Sequence, residues 1–129
     1  MTEGFTHPAT DLGNAERLVR EYGEDLRYVA VWHRWLSWTG ERWALDDTGA
    51  VTRAAIAMTK KMVEEARTAL AVAVELLALD PENAEAISSK AIAEGQLTWA
   101  IRSQSATAIE NTIRLARSME AVAVSHKDL

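Results

Sequence analysis

The sequence predicts an α+β, mostly α fold: a helical bundle with a small tryptophan-rich antiparallel β-hairpin or three-stranded sheet near the N-terminus. Three observations carry that reading. From Thr48 onward apolar residues recur with a helical period. Leu26 to Asp47 is instead aromatic and β-branched, and holds four of the five tryptophans, Trp32, Trp35, Trp38 and Trp43. A chain of 129 residues that is 48% hydrophobic with only two prolines is the size of one core, not two.

Residues 1–9 contain Gly4 and Pro8 and little apolar material, which reads as a loose lead-in to a single domain over 10–121. Asn14 or Asp11 is placed to cap a short first helix whose Leu18, Val19 and Tyr22 share a face, with Gly23 as its left-handed terminator. The hairpin follows at about 26–47. Its strands flank Thr39-Gly40, where glycine supplies the positive φ of a tight turn. Alternation puts Trp35 with Ser37 on one face and Leu36 with Trp38 on the other, so at least one tryptophan faces solvent or a partner.

Thr48 is placed to cap a long helix ending at Asp80-Pro81. Val51, Ala55, Ile56, Met62, Val63, Ala66, Leu70, Ala73, Val74 and Leu77 form one apolar arc that is expected to face the core. A further helix is expected from about Glu82 to Arg102, weakened at Gly95, and a last one from about Ala106 to Ala121. Between these two a break is expected near Ser103, with Thr107 and Glu110 at capping-box spacing.

Composition narrows the chemistry. There are 14 Lys plus Arg against 19 Asp plus Glu, a net charge of −5, so any nucleic-acid contact has to be local. With no cysteine, disulfides and thiolate metal sites are excluded. No apolar run approaches a membrane span and no signal peptide is evident, so the cytoplasm is the expected setting. His7, His33 and His126 are scattered without helical spacing, and no metal ligand or cofactor is expected. None of the six glycines precedes a lysine, so the phosphate-cradling loop of an ATPase is missing. No Asp-x-Asp pair points to priming chemistry, and no nucleophile stands in a recognisable motif. The adjacent Asp46 and Asp47 read as solvating the hairpin and capping the next helix.

Binding residues can still be ranked. Tryptophans stack on unpaired bases, but a small sheet also needs bulky residues to attach it to helices. Packing is the preferred reading for Trp35, Trp38 and Trp43, which leaves Trp32 or Trp99 for stacking. Arg53, Lys60 and Arg67 recur every seven residues and could track phosphates, although surface decoration is the preferred reading. Between Ala86 and Ser118, Lys90, Arg102, Arg114 and Arg117 face only Glu94 and Glu110, which makes this the best DNA-facing region. A helix break beside Arg102 would offer N–H groups and the hydroxyls of Ser103 and Ser105 to a phosphate; simple capping is the competing role.

The run from Thr10 to Arg17, then Gly23 with Leu26-Arg27-Tyr28-Val29, then Trp35-Leu36-Ser37-Trp38-Thr39-Gly40-Glu41-Arg42-Trp43, resembles the opening of the poxvirus-type primase–helicase N-terminal-like domain of phage and plasmid primase–helicases. The later helices, with Arg102-Ser103-Gln104-Ser105, and the tail from Val122 extend the resemblance over residues 10–129. It marks Asn14, Arg27, Tyr28, Trp35, Trp38, Gly40 and Trp43 as motif residues. In that family the tail leads to a superfamily-three helicase, so 122–129 is expected to begin a linker toward a missing helicase domain. The resemblance implies a non-catalytic accessory module in DNA replication that holds single-stranded or forked DNA weakly, beside adjacent primase and helicase domains. A protein–protein interaction or homo-oligomerisation module without DNA contact is the alternative, and the acidic net charge favours it.

Overall fold

In the computed structural model, which describes residues 7–128, four helices hold a small mixed sheet. Residues 1–6 of the expected lead-in, and Leu129, lie outside the described residues. The order is α1 (Asp11–Tyr22), β1 (Leu26–Val29), β2 (Arg34–Trp38), β3 (Trp43–Leu45), α2 (Ala50–Leu79), α3 (Ala84–Arg102), α4 (Ala106–Ala116) and β4 (Ala123–Val124). The α+β, mostly α class therefore holds. None of the described helices is long and apolar enough to cross a membrane.

Helix ends depend on side chains other than some of those expected. Thr10, rather than Asn14 or Asp11, caps α1 by accepting the Gly13 N–H at 2.9 Å. Gly23 is right-handed at φ −63°, not left-handed; it is small because a Cβ there would press on Val19 and Val122. For α2 the cap is Asp46, as one of the two readings of the Asp46-Asp47 pair requires. Its carboxylate accepts the N–H groups of Gly49, Ala50 and Val51 at 3.0, 2.7 and 3.0 Å. Thr48 instead receives the Arg53 guanidinium. Ser105, not Thr107, caps α4 through the Ala108 N–H, and α4 ends at Ala116, short of the expected Ala121. Gly95 leaves α3 unbroken.

The strands run in the order β3-β2-β1-β4. β2 is antiparallel to both its neighbours, as the hairpin reading requires, and the turn glycine Gly40 has φ +102°. Residues 30–32 form a single 3₁₀ turn between β1 and β2, closed by His33 at a left-handed φ of 52°. The first residues of the tail return to the sheet. Val122 is fully buried, its carbonyl accepts the Tyr28 N–H at 2.8 Å, and β4 pairs in parallel with β1.

The core gathers Ala15 and Leu18 of α1, Leu26, Tyr28 and Trp35 of the sheet, Val51, Ala55, Met58, Met62 and Val63 of α2, Ala100, Ile113, Ala116 and Val122. Asn14 joins α1 to α3 at the edge of this core: its Nδ2 donates to Ser103 Oγ at 2.9 Å and its Oδ1 accepts from Trp99 Nε1 at 3.2 Å. Buried Arg17 spans α1 and α2, reaching Glu21 at 3.1 Å and Glu65 at 2.9 Å. The apolar arc of α2 is only partly inward. Ile56 and Val74 are exposed; the buried residues of α2 and α3 include the small side chains Ala73 on α2 and Ala86, Ser89 and Ala93 on α3.

Burial by itself would raise the Asp46 carboxyl, but N–H donors from Val51, Ala50, Gly49 and Thr48 outweigh it and hold the group below the ordinary carboxylate range. A depressed folded-state value stabilises the fold above the ordinary aspartate range and loses that contribution as pH falls through the depressed value. Asp46→Ala is expected to cost about 1 kcal/mol near neutral pH in urea unfolding, with the gap to the parent closing under acid conditions.

Candidate nucleic-acid interface

Helices cover one face of the sheet, and period-2 alternation decides which side chains reach the other. Tyr28 pairs with Trp35 and Leu26 with Ser37 on the inner face. The Tyr28 and Trp35 rings meet edge to face, 5.2 Å between centroids. The next residues along each strand point outward: Arg27 opposite Leu36, Leu36 opposite Leu45, and Trp38 opposite Trp43. Leu36 and Val29 are buried yet lie outside the main core, because side chains on this second face shield them.

The outer face forms a hollow of about 1040 Å³ lined by Arg27, Trp32, Arg34, Leu36, Trp43, Leu45, Val124 and Asp128. Its floor is aliphatic and its walls are indole rings. Arg27 lies over Trp43 with its guanidinium carbon 4.8 Å from the ring centre. One of its nitrogens donates to the carbonyls of Gly23 and Leu26, both at 2.7 Å, so the cation is held in place. Trp38 braces the far side of Trp43 at 5.5 Å, edge to face. Trp32, 44% exposed on its 3₁₀ turn, stands at the opposite wall beside the His126 ring. Two guanidinium groups, Arg27 and Arg34, face one carboxylate, Asp128, so the hollow is locally positive on an acidic chain.

Flat apolar rings beside guanidinium groups suit a planar base with an adjoining phosphate. Among the described residues no group of His, Cys, Asp and Glu is arranged to hold a metal ion.

The residues singled out on the later helices are dispersed. Ser103 is 1% exposed, and its hydroxyl is engaged by Asn14 and by the Trp99 carbonyl at 2.8 Å, so the break after α3 does not open a hydroxyl to a phosphate. Trp99 is half-buried with its N–H on Asn14. Arg102, Ser105 and Arg114 are exposed, Ser105 as a cap. The Arg117 guanidinium lies 5.1 Å from the centre of the Tyr28 ring. Lys60 and Arg67 come together with Gln104 along a separate shallow depression on α2.

Of the motif residues, Arg27, Tyr28, Trp35, Trp38, Gly40 and Trp43 all fall on the sheet or its turn, and Asn14 forms the interhelical bridge. Only Trp35 of the three hairpin tryptophans read as packing is buried in the core; Trp38 is 41% exposed and Trp43 half-buried on the outer face. Trp32 is exposed, as a stacking residue has to be. Arg34, Leu45, Val124 and Asp128 escaped the sequence reading. Alternation alone could have placed Arg34 beside Leu36 and Trp38 on the outer face; Val124 and Asp128 carried no such signal.

Fold and site together define a mostly helical α+β domain with an aromatic, arginine-bearing sheet face. Residues 15–129 match the family described as D5 N terminal like, and the chain belongs to that family of primase–helicase N-terminal-like domains. The resemblance carried by the Trp35 to Trp43 motif thus identified the family. No curated protein and no solved structure gave a match.

The two tryptophan environments predict opposite outcomes in urea unfolding. Trp35→Ala removes a core ring and is expected to cost about 3 kcal/mol or more. Trp32→Ala is expected to stay within about 0.5 kcal/mol of the parent.

Proposed function

We propose that the chain is a non-catalytic accessory module of a phage or mobile-element DNA primase–helicase, acting in the cytoplasm to hold single-stranded or forked DNA and to couple primase to helicase during replication. Family membership supports the replication setting. The observation that carries the DNA contact is the outer sheet face, where Trp32 and Trp43 flank an apolar floor with Arg27 and Arg34.

The chemistry is sequence-tolerant. Every base has a face that can stack on indole, at about 1–3 kcal/mol per base, and arginine meets the phosphate between bases without reading sequence. Paired bases keep their faces inside the duplex, so the hollow selects for an unpaired strand. With only two guanidinium groups in it, binding is weak and falls as salt rises. On this reading the DNA contact lies on the hairpin rather than on the later helices.

Fluorescence anisotropy of labelled oligo-dT, forked DNA and blunt duplex at low salt checks this. The parent is expected to prefer the unpaired strand, with quenching of its own tryptophan emission. Trp32→Ala with Arg34→Ala is expected to weaken binding by about tenfold or more, by loss of one stack and one phosphate contact. Absence of binding by the parent sinks the DNA-holding role. Binding that survives this pair but is lost on changing Arg102, Arg114 and Arg117 to alanine returns the contact to the later helices.

A further inference from the structure

Side chains on the outer face of the sheet stand in three rows across the strands. Val124, Val29 and Arg34 make the first, Arg27, Leu36 and Leu45 the second, and Trp38 with Trp43 the third. Successive rows are two residues apart along β2, about 7 Å. An extended single strand of nucleic acid advances by a similar length with each nucleotide.

The rings that wall the hollow stand at its two ends. Trp32 belongs to the first-row end: the hollow joins it to Arg34 and Val124, and its ring meets that of His126, which follows Val124 closely in the chain. Trp43 stands in the third row. Arg27 starts in the second row, but its guanidinium bonds to the carbonyls of Gly23 and Leu26 and lies over Trp43, which brings its charge to the third-row end. Arg34, at the other end, is exposed and has no hydrogen bond or ion pair among the described residues. From one end to the other the face therefore presents a ring and a cation, then the aliphatic pair Leu36 and Leu45, then a cation and a ring. The two ends are two rows apart, about 13 Å, which an extended strand covers in two steps. At about 1040 Å³ the hollow matches the largest ordinary small-molecule sites, about 1,000 Å³, so a single base leaves most of it empty.

We infer, on the DNA-holding reading, that the hollow takes three consecutive unpaired nucleotides lying along β2. One outer base stacks on Trp32, the other rests against Trp43 and the guanidinium above it, and the middle base lies on Leu36 and Leu45. Three nucleotides are joined by two phosphodiester linkages. Arg34 meets the linkage on the Trp32 side and Arg27 the linkage on the Trp43 side, so rings and cations both match the ligand in number and order. Asp128, the carboxylate in the lining, offsets part of the attraction and keeps binding weak.

Heteronuclear NMR titration of the full chain at low salt tests this, with thymidine monophosphate and with the dimer, trimer, tetramer and hexamer of dT. Affinity is expected to rise by about fivefold or more per nucleotide up to the trimer. Beyond it, affinity is expected to grow only with the number of placements that a longer strand offers, about fourfold for the hexamer. A neutral methylphosphonate at either linkage of the trimer is expected to weaken binding several-fold. In Arg34→Ala, with circular dichroism unchanged, one of these two substitutions is expected to lose its effect and the other to keep it, because the Arg27 contact remains. Absence of binding at every length overturns the inference together with the DNA-holding role. A rise that ends before the trimer, or continues at the same pace past it, overturns the three-nucleotide footprint and leaves DNA holding intact. So does an Arg34→Ala chain in which both neutral linkages keep their full effect, or both lose it.

Discussion

The aromatic face exists because helices cover only one side of a sheet too small to stand alone. Tyr28 and Trp35 meet edge to face on the covered side and anchor the sheet to α1, α2 and the buried Val122. Once Trp35 is inward, the pleat leaves no choice for its neighbours: Arg34, Leu36 and Trp38 point out, and pairing brings Arg27, Trp43 and Leu45 beside Leu36 and Trp38. The anchor and the platform are thus two consequences of one register. A one-residue slip would bury the arginines and expose Trp35, which is why the inner pair also protects the outer face.

A second constraint fixes the helices. Asn14 uses both ends of its amide, one on Ser103 and one on Trp99, and Ser103 in turn donates to the Trp99 carbonyl. All three groups are engaged, so a buried polar cluster that would be costly if half-satisfied instead sets the position of α1 on α3. Arg17, bound to Glu21 and Glu65, does the same between α1 and α2. Apolar packing alone tolerates sliding of alanine-rich helices; these directional contacts do not.

Elements with long periodic runs were legible: α2, α3 and α4, the hairpin turn at Gly40, and the split of Trp35 from Leu36 and Trp38. Caps were less so, since Thr10, Asp11 and Asn14 are all capable acceptors and only the backbone path decides which one is used. Ser103 looked like a phosphate ligand for the same reason that it is buried. A hydroxyl at a helix break can face solvent or an amide on another helix 89 residues away, and local sequence does not distinguish the two. The pairing of β1 with the two-residue β4 was invisible, being short, parallel and remote in sequence. The outer wall formed by Val124 and Asp128 depends on that pairing, so two of the eight residues lining the hollow were hidden with it.

The net charge of −5 bears less on the sheet face than it first suggests. Glu75, Asp80, Glu82 and Glu85 cluster around the α2–α3 tip. The sheet joins the other end of α2, and thirty residues of helix separate Ala50 from Leu79. At about 1.5 Å per residue that is about 45 Å, several Debye lengths at ordinary salt. Those four carboxylates therefore exert almost no field at the hollow. Nearer by, Asp46 turns its carboxylate into the N-terminus of α2, where the helix N–H groups neutralise much of its effect. The hollow itself is lined by Arg34 and the guanidinium of Arg27 over Trp43, opposed by Asp128, while Glu24, Asp25, Glu41 and Asp47 lie on the turns around the sheet. Screening thus leaves the charge met at this face to the groups that line and border it.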